Sequence, residues 1–248
     1  MTTYFTHHRK TGPFLKGLQH GLPIGLGYFS VSIGFGLLAV NGDPAAGGLT
    51  IWQAVLISLA NFTSAGQLAG VNIMFSSGSL LEMGVSQLFI NLRYTLMSVA
   101  LSQKFSQTVT LPRRLCLACF NTDEIFAVSA SEPGELGGAY MAGLVILPYL
   151  GWALGTLTGA VAGAILPAAI RDGMGILLYC MFLAVILPPA RKSAAIRAAV
   201  ALAVFLRCVF RYVPHLNQIS GGFAVVLCAL LASMYCALRY PIQTEGAP

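Results

Sequence analysis

Apolar residues fill long runs along this chain, and short polar gaps separate them. The runs cover 22–40, 51–75, 83–101, a shorter 115–130, 136–170, 174–187, 194–210 and 223–238. About 20 apolar residues suffice for an α-helix to cross the hydrocarbon core. The pattern therefore predicts an all-α fold, a polytopic transmembrane helix bundle. The gaps at 41–48, 76–79, 131–135, 188–189 and 214–222 are rich in Gly, Pro, Ser and Asn, the residues that turn a chain.

Basic residues orient the runs. Cytoplasmic loops carry an excess of Lys and Arg. The leading segment holds His7, His8, Arg9, Lys10 and Lys16, and the gap at 104–114 holds Lys104, Arg113 and Arg114, so both are expected in the cytoplasm. The gap at 41–50 has no Lys or Arg and is expected outside. Two apolar runs lie between these gaps, and two full crossings would put 104–114 on the wrong side. One run must enter and leave by the same face. The run at 51–75 suits this, because its centre reads Asn61-Phe62-Thr63-Ser64-Ala65-Gly66-Gln67, small and polar enough for a break. The run at 115–130 is short and carries Asn121, Asp123 and Glu124, so it is expected to re-enter from the cytoplasm.

About six spans plus two re-entrant segments follow, one entering from each face, with both termini cytoplasmic. Secondary transporters built from inverted repeats share this arrangement, and their broken helices meet near the midplane. No sequence repeat is visible here. The expected organisation is a cytoplasmic segment at 1–20, an integral transport domain at 21–240 and a cytoplasmic tail at 241–248.

Composition agrees. Charged residues are 9% of the chain, against about 25% in soluble domains. The net charge of +6 falls in the gaps and not on one stripe, so it marks no nucleic-acid interface. The run at 22–40 is too long for a signal-peptide core and is read as a first span. The six cysteines lie mostly in apolar runs, and the pair Cys116/Cys119 has no second pair to complete a metal set. His20 and His215 have no ligand-spaced partner. No metal site and no cofactor are expected. The nucleophile elbow, the zinc-protease helix motif and the phosphate-cradling loop are all missing, which argues against an enzyme.

The chemistry concentrates in three places. Arg93 sits with Asn91 inside an otherwise apolar run. An arginine at the bilayer centre costs roughly 2.5–3.5 kcal/mol on insertion scales. Its planar fork matches a substrate carboxylate, but it could equally be tied to an acid of its own chain or to helix carbonyls. Asp123 and Glu124 are the acids available, and either could carry a proton. The third place is the break with Thr63, Ser64, Gly66 and Gln67, where half-helix ends would offer N–H groups to a carboxylate and carbonyls to an ammonium group. Gly151, Gly155, Gly159 and Gly163 recur every four residues, a ridge for close helix contact.

At these motifs the chain resembles the AzlC-type branched-chain amino acid transporters. The resemblance rests on Gly21-Leu-Pro-Ile-Gly-Leu-Gly-Tyr28 with Gly34-Phe-Gly36, on Phe62-Thr-Ser-Ala-Gly-Gln67, on Asn91-Leu-Arg93, on Thr122-Asp-Glu124 with Phe126-Ala127, and on Tyr149 with Trp152. It covers roughly residues 15–190. It implies a secondary exporter of valine, leucine or isoleucine in the bacterial inner membrane, paired with a small hydrophobic AzlD-like subunit. Two positions depart from the family's usual pattern. Tyr94 stands where His is common, and Thr63-Ser64 makes the break more polar, so methionine or another neutral amino acid would also fit. The residues expected around the substrate are Thr63, Ser64, Gly66, Gln67, Asn91 and Arg93, with Asp123 and Glu124 coupling protons. An uptake permease and a non-transporting assembly subunit are the alternatives.

Overall fold

The computed structural model describes residues 12–42, 47–165 and 186–240, with Pro167, Cys180 and Leu183 as isolated positions. The tail at 241–248, residues 1–11 and most of the run at 174–187 lie outside the described residues. Among the described residues there is no strand, and the helices are α1 (Pro13–Asn41), α2 (Ile51–Ala60), α3 (Ser64–Phe75), α4 (Leu80–Ser102), α5 (Leu111–Ala118), α6 (Asp123–Ser131), α7 (Gly138–Ile165), α8 (Ala194–Tyr212) and α9 (Gly221–Arg239). Three of them, α1, α7 and α9, are long and apolar enough to cross a membrane by length and composition. Helix α4 carries Glu82 and Arg93, and α8 carries Arg197, Arg207 and Arg211, which makes both more polar.

Helix α1 starts at Pro13, well before the apolar run at 22. Lys16, Gln19 and His20 mask the start in the sequence. Pro13 is pre-set for a first helical position, and Gly17 already packs against the backbone of Tyr140 and Leu144.

Helices α1 and α7 form the spine. They lie parallel, because their contacts climb in step. Gly17 faces Tyr140 and Leu144, Gly25 faces Leu147, Gly36 faces Thr156 and Ala160, and Gly163 faces Leu37 and Asn41. Side chains are missing at the crossing points, so backbone meets backbone. The glycine ridge of α7 is thus a packing surface for α1: Gly151 meets Gly25, Gly155 meets Phe29 and Ser32, and Gly159 meets Ile33. We call the end of the spine at Pro13 and Gly138 the proximal face and the other end the distal face.

The broken segments are hairpins that enter from opposite faces. Helix α2 starts at the distal face, where the amide of Leu49 donates to the carbonyl of Ala39 at 2.8 Å. It descends until Ser58 bonds Thr156 at 2.8 Å and Tyr149 donates to the carbonyl of Leu59 at 3.0 Å, both halfway along α7. After the break at Asn61–Thr63, α3 climbs back, and Val71 and Phe75 join Phe35, Ala39 and Ala54 in one distal cluster. Helix α4 then runs from the distal to the proximal face, where Leu101 and Phe105 pack with Leu136 and Tyr140.

The second hairpin mirrors the first. Helix α5 leaves the proximal face, where Arg114 donates to the carbonyls of Ser102, Ser106 and Val109 at 2.9–3.1 Å. The chain turns at 119–122, and α6 returns to the proximal face. There the Lys104 ammonium caps α6 through the carbonyls of Ser129, Ala130 and Glu132. Lys16 pairs with Glu132 at the same place. The cations that marked 104–114 as a loop also tie its hairpin down.

The directions of α1–α2–α3 are therefore inverted in α4–α5–α6. Helices α8 and α9 complete the bundle as an antiparallel pair. The Cys236 thiol donates to the carbonyl of Ala195 at the proximal end, and the Gly222 amide at the start of α9 donates to Glu82 at the distal end.

Gly159→Ala drives a methyl into the Ile33 carbonyl and should destabilise by about 1–3 kcal/mol, as overpacking does. Gly27→Ala points into open space and should leave stability unchanged or raise it by up to ~1 kcal/mol through helix propensity. Thermal unfolding of the purified variants separates the two. Single cysteines at Gly47 and Gln107, in a cysteine-free background, should label from opposite sides of the membrane; labelling from one side would overturn the hairpin topology.

Candidate functional site

The two hairpin tips meet between α1, α4 and α7. Each tip contributes an aromatic ring, Phe62 from the first and Phe120 from the second, with centroids 6.4 Å apart. Tyr28, Tyr149 and Trp152 of the spine close around them edge-to-face, at 5.0–6.4 Å. Edge-to-face rings pack favourably beyond their buried area. This collar fixes both tips without needing a regular backbone.

The breaks themselves are satisfied by side chains. Broken backbone at membrane depth persists only where protein or water meets its polar groups. Asn61 and Thr63 are extended, so α2 ends at Ala60 and α3 starts afresh at Ser64. The break thus falls earlier than its polar stretch implied, and Ser64–Gln67 form the first turn of α3. Gln67 is buried and fully engaged. Its amide nitrogen donates to the carbonyl of Asn61 at 2.6 Å, and its oxygen accepts from the Trp152 indole at 3.0 Å. Gln87 of α4 donates to the carbonyl of Gly66 at 2.8 Å. On the other tip, the Thr122 hydroxyl accepts from the amide of Ile125 and caps α6.

Beside the collar lies a cavity of about 310 Å³, lined by Tyr28, Phe62, Thr63, Ser64, Ala65, Ile90, Arg93, Tyr94, Thr122, Asp123, Glu124, Trp152 and Ile186. The first turns of α3 and α6 both border it. Each presents free N–H groups and the positive end of a helix dipole.

Arg93 of α4 reaches across to Asp123 of α6 at 2.8 Å. Both side chains remain nearly half exposed to the cavity, at 48% and 47%. The guanidinium also donates to the Tyr94 hydroxyl at 2.8 Å and lies over its ring. Glu124 accepts from the Tyr28 hydroxyl, which also bonds Thr122 at 2.7 Å. Each acid therefore has a dedicated partner, one cationic and one neutral.

Of the residues expected at the site, Thr63, Ser64, Arg93, Asp123 and Glu124 line this cavity. Gly66 and Gln67 lie behind it, in the wall. Asn91 faces a second, larger cavity of about 710 Å³ that opens toward the proximal half and shares only Thr63 and Tyr94 with the first. There the side-chain carbonyls of Asn91 and Asn121 are buried without a partner. The aromatic collar was not among the expected site residues. Its signal was an aromatic residue flanking each break, Phe62 before Thr63 and Phe120 before Asn121.

Hairpins entering from opposite faces and meeting over an ion pair define a polytopic helical membrane protein with two broken segments. Residues 23–166 match the family model described as AzlC protein. The chain belongs to the AzlC family, a membrane transport-related family. It is similar to two curated proteins of Helicobacter pylori, each described as an uncharacterized membrane protein. One, from strain ATCC 700392 / 26695, is 26% identical over 160 residues, 63% of this chain and 67% of the relative. The other, from strain J99 / ATCC 700824, is 27% identical over 154 residues, 61% of this chain and 64% of the relative. No solved structure matches.

The geometry makes Gln67 a strut. Gln67→Leu would strand the Trp152 indole N–H and the Asn61 carbonyl, and each stranded buried group costs about 1–3 kcal/mol. A lower melting temperature of the purified variant is the expected result.

Proposed function

We propose that this protein is the large subunit of a secondary transporter that exports branched-chain or similar neutral amino acids, methionine included, across the bacterial inner membrane by alternating access. The observation that carries the proposal is the Arg93–Asp123 pair in a cavity bordered by two half-helix N-termini. A zwitterion needs a cationic seat and an anionic one, and an apolar side chain needs an apolar wall. Arg93 and the N-terminus of α3 serve the carboxylate. Glu124 faces the ammonium group. Phe62, Ala65, Ile90 and Trp152 surround the side chain.

Coupling to protons follows from competition. Without substrate, ionised Asp123 pairs with Arg93. The substrate parts the pair: its carboxylate takes Arg93 in a charge-assisted, bidentate contact, and its ammonium group takes the Asp123 carboxylate beside Glu124. A proton arriving on Asp123 removes that anionic seat, and the substrate leaves outward. The empty carrier turns inward, Asp123 gives the proton to the cytoplasm, and the carboxylate returns to Arg93. One proton is thereby exchanged against one substrate.

The basic residues orient the molecule. Lys16, Lys104, Arg113, Arg114, Lys192, Arg197 and Arg239 lie toward the proximal face, and Arg207 and Arg211 toward the distal one. By the positive-inside rule the proximal face, with the N-terminus, is cytoplasmic. An AzlD-like hydrophobic subunit is the proposed partner.

A ligand that binds only the folded state stabilises it by mass action, by about 2.7 kcal/mol at a hundredfold excess over Kd. Leucine, valine or methionine should raise the melting temperature of the purified protein or its complex, while lysine and glutamate should not. The neutralised pair Arg93→Gln with Asp123→Asn keeps the fold and should lose that rise. Equal responses to all amino acids, or an unchanged response in the double variant, would remove the substrate from this cavity.

A further inference from the structure

We propose that Glu82 is the port through which the coupling proton enters from the distal face. The proposal rests on the transport reading above and adds to it a route and a residue. Glu82 lies in the first turn of α4 and is 3% exposed. Among the described residues its carboxylate makes one hydrogen bond, from the Gly222 amide at 2.8 Å, and no Lys, Arg or His pairs with it. Asp123 and Glu124, by contrast, both have dedicated partners. A buried carboxylate with so little compensation is expensive as an anion. The first turns of α4 and α9 offset part of that expense through their dipoles.

Its surroundings form a passage. On the distal side Glu82 borders an open vestibule of about 590 Å³, with Ser76, Ser79 and Ser220. On the inner side, one helical turn further along α4, Ser86 borders a cavity of about 130 Å³, with Asn72 and Ser76 of the α3 end, Arg207 of α8 and Gly222 of α9. Room for several waters is available there. A methyl group built on Gly222 would lie 2.6 Å from the Ser86 hydroxyl and 2.7 Å from the Glu82 carboxylate, so the two groups crowd one spot. The hydroxyls of Ser86 and Ser220 are both buried without a partner. Ile90, a further turn along α4, borders both this inner cavity and the substrate cavity.

The groups that face the passage are Asn72 and Ser76 of the α3 end, Ser86 of α4, Ser220 and Gly222 at α9, and Arg207, the only charged one among the described residues. In the proposed step, Glu82 takes a proton from vestibule water, forming an O–H bond. It then passes that proton through the Ser86 hydroxyl and cavity water to the Asp123 carboxylate, and returns to its ionised form. Ile90 is the barrier that keeps substrate out of the proton path.

The test uses the full-length protein, with its partner subunit where one is needed, in vesicles with labelled leucine. Glu82→Gln keeps the acceptor for the Gly222 amide, so it should insert and retain leucine counterflow while losing accumulation driven by a proton gradient. Glu82→Asp keeps the acid and should retain both. Acidifying the distal side should produce a protonated-carboxyl infrared band in the wild type that Glu82→Gln lacks. Proton-driven accumulation at wild-type level in Glu82→Gln, loss of coupling in Glu82→Asp, or an unchanged infrared band would overturn the proposal. No counterflow in the wild type would instead overturn the transport reading.

Discussion

Arg93 cannot sit in the middle of α4 at membrane depth without a partner, and its partner comes from outside its own helix. Asp123 stands on the first residue of α6, a half-helix that exists only because the second hairpin breaks at 119–122. That hairpin is anchored at the proximal face by Lys104, Arg114 and the Lys16–Glu132 pair. Its tip is fixed by the Phe120 ring against Tyr149 and Phe62. The ion pair therefore depends on the whole path from the proximal loop to the tip. An arginine without this path would be a net expense to the bundle.

The spine explains why such a path tolerates broken backbone. Helices α1 and α7 touch through glycines over nearly their full length, a contact made by van der Waals packing and not by hydrophobic exclusion. Tyr28 and Trp152, both on this spine, hold the tips. A rigid pair thus carries the irregular elements. Arg93 and Glu82 belong to α4 instead, which meets the tips mainly through polar contacts: Gln87 with Gly66, Ser98 with Asn121, and Arg93 with Asp123. Polar contacts between two bodies can be exchanged for contacts to a ligand or a proton, which a glycine seam cannot do.

Much of the fold was legible in the sequence because each signal had one physical cause. Counting Lys and Arg per gap required one segment to turn back, and the small polar centre at 61–67 identified which. Glycines at four-residue spacing marked the helix seam. Asn121, Asp123 and Glu124 in a run too short to span placed the second break. Other features were hidden by long-range geometry. Gln67 looked like a ligand group because an amide at a break is equally suited to bind substrate or to satisfy stranded carbonyls, and only the position of Trp152 shows which groups it meets. The start of α1 was masked by Lys16, Gln19 and His20, whose polar heads sit on a helix that Gly17 already packs. Nothing in the local sequence singles out Glu82, because its burial comes from α9, some 140 residues away in sequence.

The most direct test of the account is a charge swap at its centre. Arg93→Asp and Asp123→Arg should each lower the yield of folded, membrane-inserted protein, because each leaves two like charges facing one another across the tip junction. The double variant restores opposite charges across the same gap. The account predicts that it recovers insertion and thermal stability well beyond either single change. A double variant as defective as the singles would show that Arg93 and Asp123 do not hold the two halves of the site together.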